Sequence, residues 1–203
     1  MNPIHAPVRD ADITRATILR AGMDLFAQDG FEMVSVRLIG AQAGVDPSLI
    51  NRYFGGKEEL FVEVIKACDR SWRGLWGDHE HFAGRVAREL LHRSGDSEIL
   101  RGVRIMLRSA GSERARQLID QTVESSMFSD LENWVQGADA DIRARLLLAL
   151  VAGMAFAENV SGDFELPEAR TEALGCHLTR VIDGLVQPER SETHVESAPQ
   201  DLD

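Results

Sequence analysis

Apolar and polar positions repeat with a helical period along nearly the whole chain, and no stretch alternates convincingly in the two-residue rhythm of a strand. Ile18, Gly22, Leu25 and Phe26 stand at i, i+4, i+7 and i+8, so a first helix spans 12–28 with one apolar stripe. Gly30 stops it, because glycine accepts the left-handed conformation of a helix end. Ser35 caps a short second helix that ends near Ala43. Gly44 then makes a turn and Val45 plugs the core behind it. Asp46 caps a third helix with Pro47 at its first position, where a missing N–H costs nothing, and Gly55-Gly56 breaks it. Lys57 opens a long fourth helix that reaches Trp76. Further helices are predicted over 80–93, 97–110, 112–136, 139–161 and 168–187, with breaks at Gly77-Asp78, 94–96, Gly111-Ser112, Gly137 and 161–163. From Pro188 the chain turns polar, which predicts a disordered tail over 188–203.

Two short helices about a glycine turn make a helix-turn-helix. The fold class is therefore all-α: a three-helix head at 10–56, followed by a larger helical bundle at 57–187. Charge sharpens this division. The net charge of −11 excludes a surface coated for nucleic acid. Within 35–57, however, Arg37, Arg52 and Lys57 stand against Asp46 alone. A small basic spot on an acidic body suits a short local grip on phosphate. In the third helix Ile50 and Phe54 are four apart and face inward onto Leu38 and Ile39. Pro47, Ser48, Leu49, Asn51 and Arg52 then turn outward. Asn bonds adenine bidentately and Arg bonds guanine.

The stretch VSVRLIGAQAGVDPSLINRYFGGKEELF resembles the signature of the TetR family of transcriptional regulators. Its parts here are Ser35, Leu38-Ile39, Ala43-Gly44-Val45, Asp46, Tyr53-Phe54 and Lys57 to Leu60, over a resemblance that covers about 13–62. The family usually carries Tyr where this chain has Asn51, so its usual contact scheme is altered here. The resemblance implies that Arg37 reads bases and that Ser35, Tyr53 and Lys57 touch phosphate. It also implies a homodimer, a palindromic double-stranded DNA operator, repression, and release by a small, largely apolar molecule of unknown identity. The alternatives are a helical interaction module and a regulator without a small-molecule ligand.

The bundle supplies the remaining candidates. Trp72, Phe82, Met106, Met127, Phe128 and Phe156 are large or soft side chains that can wall a ligand pocket, and Thr122 and Asn159 are polar groups that can orient a ligand. The helix over 139–161 is apolar almost all round, so one side must meet something outside the subunit's core. Leu150 and Met154 on it, with Leu174, Leu178, Val181, Ile182 and Leu185 on the last helix, form the expected dimer interface. His79-Glu80-His81 has two His at i, i+2, which point to different sides of a helix. With no third ligand nearby, no metal and no cofactor are expected. No nucleophile-elbow or zinc-protease motif occurs, so no enzyme is expected. Cys68 and Cys176 read as unpaired thiols. No apolar run is long enough to span a membrane and the start lacks the apolar core of a secretory signal, so the expected location is the cytoplasm.

Overall fold

The computed structural model describes residues 6–91, 97–123, 126–160 and 167–187. Within them the chain is built from α1 (Ala6–Met33), α2 (Val36–Ala43), α3 (Ser48–Phe54), α4 (Lys57–Gly74), α5 (His79–Leu90), α6 (Glu98–Ser109), α7 (Glu113–Val123), α8 (Ser126–Val135), α9 (Ala140–Val160) and α10 (Glu168–Val186). The expected tail at 188–203, the breaks at 94–96 and 161–163 and the side chain of Asn159 lie outside the described residues. The helix predicted over 112–136 is instead two helices, α7 and α8.

Two apolar clusters organise these helices. The first joins α1, α2 and α3 to the first half of α4 through Ile18, Phe26, Ile39, Ile50, Leu60 and Phe61, and takes in Ile105 of α6 and Leu118 of α7. The second joins the end of α4 to α5, α6, α8, α9 and α10 through Trp72, Phe82, Leu100, Leu131, Leu147 and Ile182. Among the described residues, only α4 and α6 contribute buried residues to both, so these two helices link the second cluster to the head. At 18 residues α4 is a rod of roughly 27 Å.

The end of α1 departs from expectation. Gly30 does not stop the helix in a left-handed turn. It sits at φ 76°, ψ 173°, and helix resumes to Met33 beyond the kink. This bend docks the chain on the end of α6: the Phe31 N–H donates to Ser109 Oγ at 3.2 Å, and Ser112 Oγ bonds Glu32.

Candidate nucleic-acid interface and internal cavity

The turn of the head is set by two polar caps and one glycine. Ser35 Oγ accepts from the Leu38 N–H at 3.2 Å and starts α2. Gly44 closes it at φ 66°, ψ 33°, a conformation that glycine adopts without penalty. Asp46 Oδ1 accepts from the Ser48 N–H at 2.8 Å. Pro47 has helical angles, φ −55° and ψ −26°, and α3 follows at Ser48. The Ser48 hydroxyl, and then its N–H, hold the Asp46 carboxyl below the ordinary aspartate value. A depressed folded value means that this cap stabilises the head at neutral pH and loses its effect as pH falls below the ordinary range near 3.8. The melting-temperature gap between wild type and Asp46→Ala is accordingly full at neutral pH and narrows below about pH 4. A gap that stays constant down the acid limb contradicts this role.

On this frame Ser35, Arg37, Ser48, Asn51 and Arg52 are exposed, while Pro47, Leu49 and Tyr53 are half-buried. Leu49 and Tyr53 also pack against the first cluster, so only part of each is free to meet a ligand. Ile39 and Ile50 are fully buried, as their positions demand, and Phe54 packs against the same cluster under the Arg15 guanidinium at 4.7 Å. Leu38 was expected inside with Ile39, but it is 41% exposed. Neighbours on a helix lie about 100° apart, so burying Ile39 turns Leu38 toward solvent on the same side as Arg37. Lys57 is half-buried: its ammonium donates to the Phe31 carbonyl at 3.0 Å and lies 4.1 Å from the centre of the Phe31 ring. It therefore fastens the start of α4 to the end of α1, with donors left for an anion at the helix N-terminus.

In the bundle, α4, α6, α8 and α9 enclose a cavity of about 290 Å³. Of the expected ligand residues, Trp72, Met106, Met127 and Phe128 line it. Phe82 does not; it is fully buried, edge-on to Trp72 at 6.3 Å and against Trp134 at 4.6 Å, so it is core. Thr122 turns its hydroxyl back to the Leu118 carbonyl at 2.5 Å, and Phe156 points outward. The sequence reading missed the α6 wall of Ile99, Gly102 and Val103, and Leu148 and Val151 of α9. Cys68 lines the cavity too, but burial, with Glu98 second, pushes its thiol up to about 12, which leaves it unreactive. His79 stacks on Trp134 at 4.2 Å with its Nε2 2.8 Å from the Trp134 carbonyl, while His81 pairs with Asp78 at 2.7 Å. The two rings thus turn to different partners.

The model for "Bacterial regulatory proteins, tetR family" matches residues 18–64, the head just described, and that for the "Tetracyclin repressor-like, C-terminal domain" matches residues 80–186. The chain belongs to the TetR family. Its similarity to an HTH-type transcriptional repressor of Mycobacterium tuberculosis is 28% identity over 148 residues, 70% of this chain and 69% of the relative. The repressor NicS of Pseudomonas putida is 36% identical over 58 residues, 29% of this chain and 27% of NicS. Among solved TetR-like folds, NalD, the secondary repressor of the MexAB-OprM multidrug efflux pump in Pseudomonas aeruginosa, superposes with a TM-score of 0.60. That match has 20% identity and covers 84% of this chain and 97% of NalD. FadR from Bacillus subtilis, solved with stearoyl-CoA, gives a TM-score of 0.58 at 17% identity, over 85% of this chain and 97% of FadR. This TetR-family chain is thus a DNA-binding transcriptional regulator.

One face of this TetR fold has no intrachain partner among the described residues. On α9 Ala144, Leu147, Val151 and Ala155 are buried in the second cluster. Ile142, Leu146 and Phe156 lie on the opposite side and are 52%, 52% and 55% exposed. On α10 the expected interface residues Leu178 and Ile182 are buried inside the subunit, where α10 packs on α5 and α9, and so are unavailable to a partner. Leu150, Met154 and Leu185 are half-buried against the second cluster, Leu174 is half-buried, and Val181 is 52% exposed.

Proposed function

We propose that the chain represses transcription as a cytoplasmic homodimer that occupies a palindromic DNA operator and is released when a small, largely apolar molecule fills the α4–α6–α8–α9 cavity. The head at 10–56 reads DNA, and 57–187 holds the cavity and the partner. The observation that carries this reading is the exposed set Arg37, Ser48, Asn51 and Arg52 on a capped helix-turn-helix, in a locally basic stretch of an acidic chain. Ser35, Pro47, Leu49, Tyr53 and Lys57 complete the interface, as positioning and phosphate contacts. The partner face is Ile142, Leu146 and Phe156 of α9 with Val181 of α10, and a twofold axis through it repeats the two heads one DNA turn apart.

Release follows from where the cavity lies. A ligand between α4 and α6 pushes on the two helices that carry the second cluster into the first. It shifts the heads only if it binds the splayed state better than the DNA-bound state, so operator DNA must weaken ligand binding by the same factor.

The test is a gel shift with the protein's own upstream region, followed by variants. Arg37→Ala and Asn51→Ala each relax the preference at particular base pairs by about 1–3 kcal/mol. Lys57→Ala weakens all sequences alike and also lowers the melting temperature, because the bond to the Phe31 carbonyl goes with it. A Lys57→Ala protein with changed sequence preference, or an Asn51→Ala protein with none changed, would show that the roles are assigned wrongly.

A further inference from the structure

The cavity wall is apolar except at one place. Asp69 is the only charged side chain among the described residues that line it. Its Oδ2 accepts from Arg73 Nε at 2.8 Å, while its Oδ1 is buried with no hydrogen-bond partner. Three residues on, Trp72 is nine-tenths buried and also lines the cavity, and its indole Nε1 is likewise buried without a partner. Residues at i and i+3 share a helix face, so one patch of α4 holds an acceptor lacking a donor and a donor lacking an acceptor. Buried polar groups left unpaired are costly and uncommon, and a ligand that supplies both partners relieves both at once.

We infer that the effector is an uncharged, largely apolar molecule ending in a group that both donates and accepts, a hydroxyl or a primary amide, held between Asp69 Oδ1 and Trp72 Nε1. This rests on the cavity being the effector site. Both residues line the cavity, and side-chain rotation of the kind that accompanies binding would turn these two buried atoms to a ligand. Anions are selected against, because Asp69 faces them and the nearby cation is already committed. Arg73 bridges Asp69 and also Asp130, at 2.7 Å, so two carboxylates surround one guanidinium. An ammonium satisfies Asp69 but offers no acceptor to the indole N–H. The rim suits an apolar visitor, since Leu107 and Phe128 both line the cavity and are 42% and 47% exposed.

The experiment is calorimetric titration of the full chain with four probes that share one ring system: naphthalene, naphthol, naphthoate and naphthylmethylamine. Naphthol is expected to bind tightest, by about tenfold over naphthalene, the worth of a satisfied buried hydrogen bond. Trp72→Phe, which keeps an aromatic ring but removes the N–H with the pyrrole half of the indole, lowers the naphthol-to-naphthalene affinity ratio by about threefold, and taking the ratio cancels the change in cavity volume. Asp69→Asn narrows the gap between naphthol and naphthoate. Thermal melts check that each variant is folded, and either one alone suffices for the comparison. The inference is overturned if naphthoate or the amine binds tightest, if none of the four binds, or if the naphthol advantage survives undiminished in folded Trp72→Phe. Naphthol that binds as expected but leaves the operator complex intact keeps the ligand class and removes release by this cavity.

Discussion

Replacing Gly30 by valine lowers the melting temperature by about 10 °C and costs roughly 3–5 kcal/mol, one of the largest single-residue effects in this chain. Two independent penalties meet at this position. The backbone at φ 76°, ψ 173° lies in a region that essentially only glycine occupies, worth about 1–3 kcal/mol of strain for any other residue. A Cβ built there falls 2.6 Å from the Arg108 carbonyl oxygen, which is backbone and cannot rotate away. Relief requires α1 and α6 to part, which adds overpacking of about 1–3 kcal/mol. Parting them also loosens the Phe31–Ser109 and Glu32–Ser112 bonds, and it moves the carbonyl that holds Lys57. The helix-turn-helix therefore loses its footing along with stability, and DNA binding is expected to fall further than the melting temperature alone explains. Gly30→Ala carries nearly the same cost, since the first carbon already makes the clash. A circular-dichroism melt within about two degrees of wild type for Gly30→Val would show that the bend is not needed.

Gly30 also shows where the sequence is legible and where it is not. That a helix changes course there is readable from glycine alone. That the bend serves to bring Phe31 onto Ser109, 78 residues away, is not, because local propensity carries no information about the distant surface the bend must fit. The head was almost fully legible, since its caps and turn are local chemistry: Ser35, Gly44 and Asp46 each act within three residues of themselves. Besides Gly30, its miss was Leu38, which came from treating an aliphatic pair as jointly buried when helix geometry lets only one neighbour face the core. In the bundle, periodicity locates an apolar stripe but not what the stripe faces. Leu178 and Ile182 face the subunit's own α5 and α9, while Ile142 and Leu146 face out. Cavity walls are harder still. Phe82 and Trp72 have the same composition signal, yet one is solid core and the other borders space. The walls from Ile99, Gly102 and Val103 are ordinary aliphatic residues and a glycine that nothing in a sequence marks. Asp69 has a local sign, a carboxylate four residues before Arg73, but its unpaired oxygen becomes visible only once the packing is known.

If the proposed homodimer forms through the exposed face of α9, Leu146→Glu is expected to give a folded monomer and to lower operator affinity by about a hundredfold or more. Ile142, Leu146, Ala149, Gly153 and Phe156 fall at i, i+4, i+7, i+11 and i+14, and all five are exposed. Spacings of four and three keep them on one side of α9, the seam pattern of two helices packing side by side. The small residues Ala149 and Gly153 in the middle allow close approach, and Val181 and Gly184 of α10 are exposed as well. A contiguous apolar face of this kind is a poor surface for a monomer to show to water. A twofold contact repeats any change on both sides, so a carboxylate at 146 enters twice and is buried without a partner each time. The subunit itself loses little, because Leu146 is already 52% exposed and the core side of α9 is untouched. Operator affinity falls because two linked heads bind with an effective local concentration that separate heads lack, typically a factor of about 10²–10⁴. The measurements are light scattering on the purified protein, a melt, and a gel shift on one and two half-sites. The variant should keep its melting temperature within a few degrees, scatter as one chain, and bind the two-half-site fragment no better than the single one. A variant that remains a dimer places the partner face elsewhere. A monomer that holds the full operator as tightly as wild type means that the two heads never acted together.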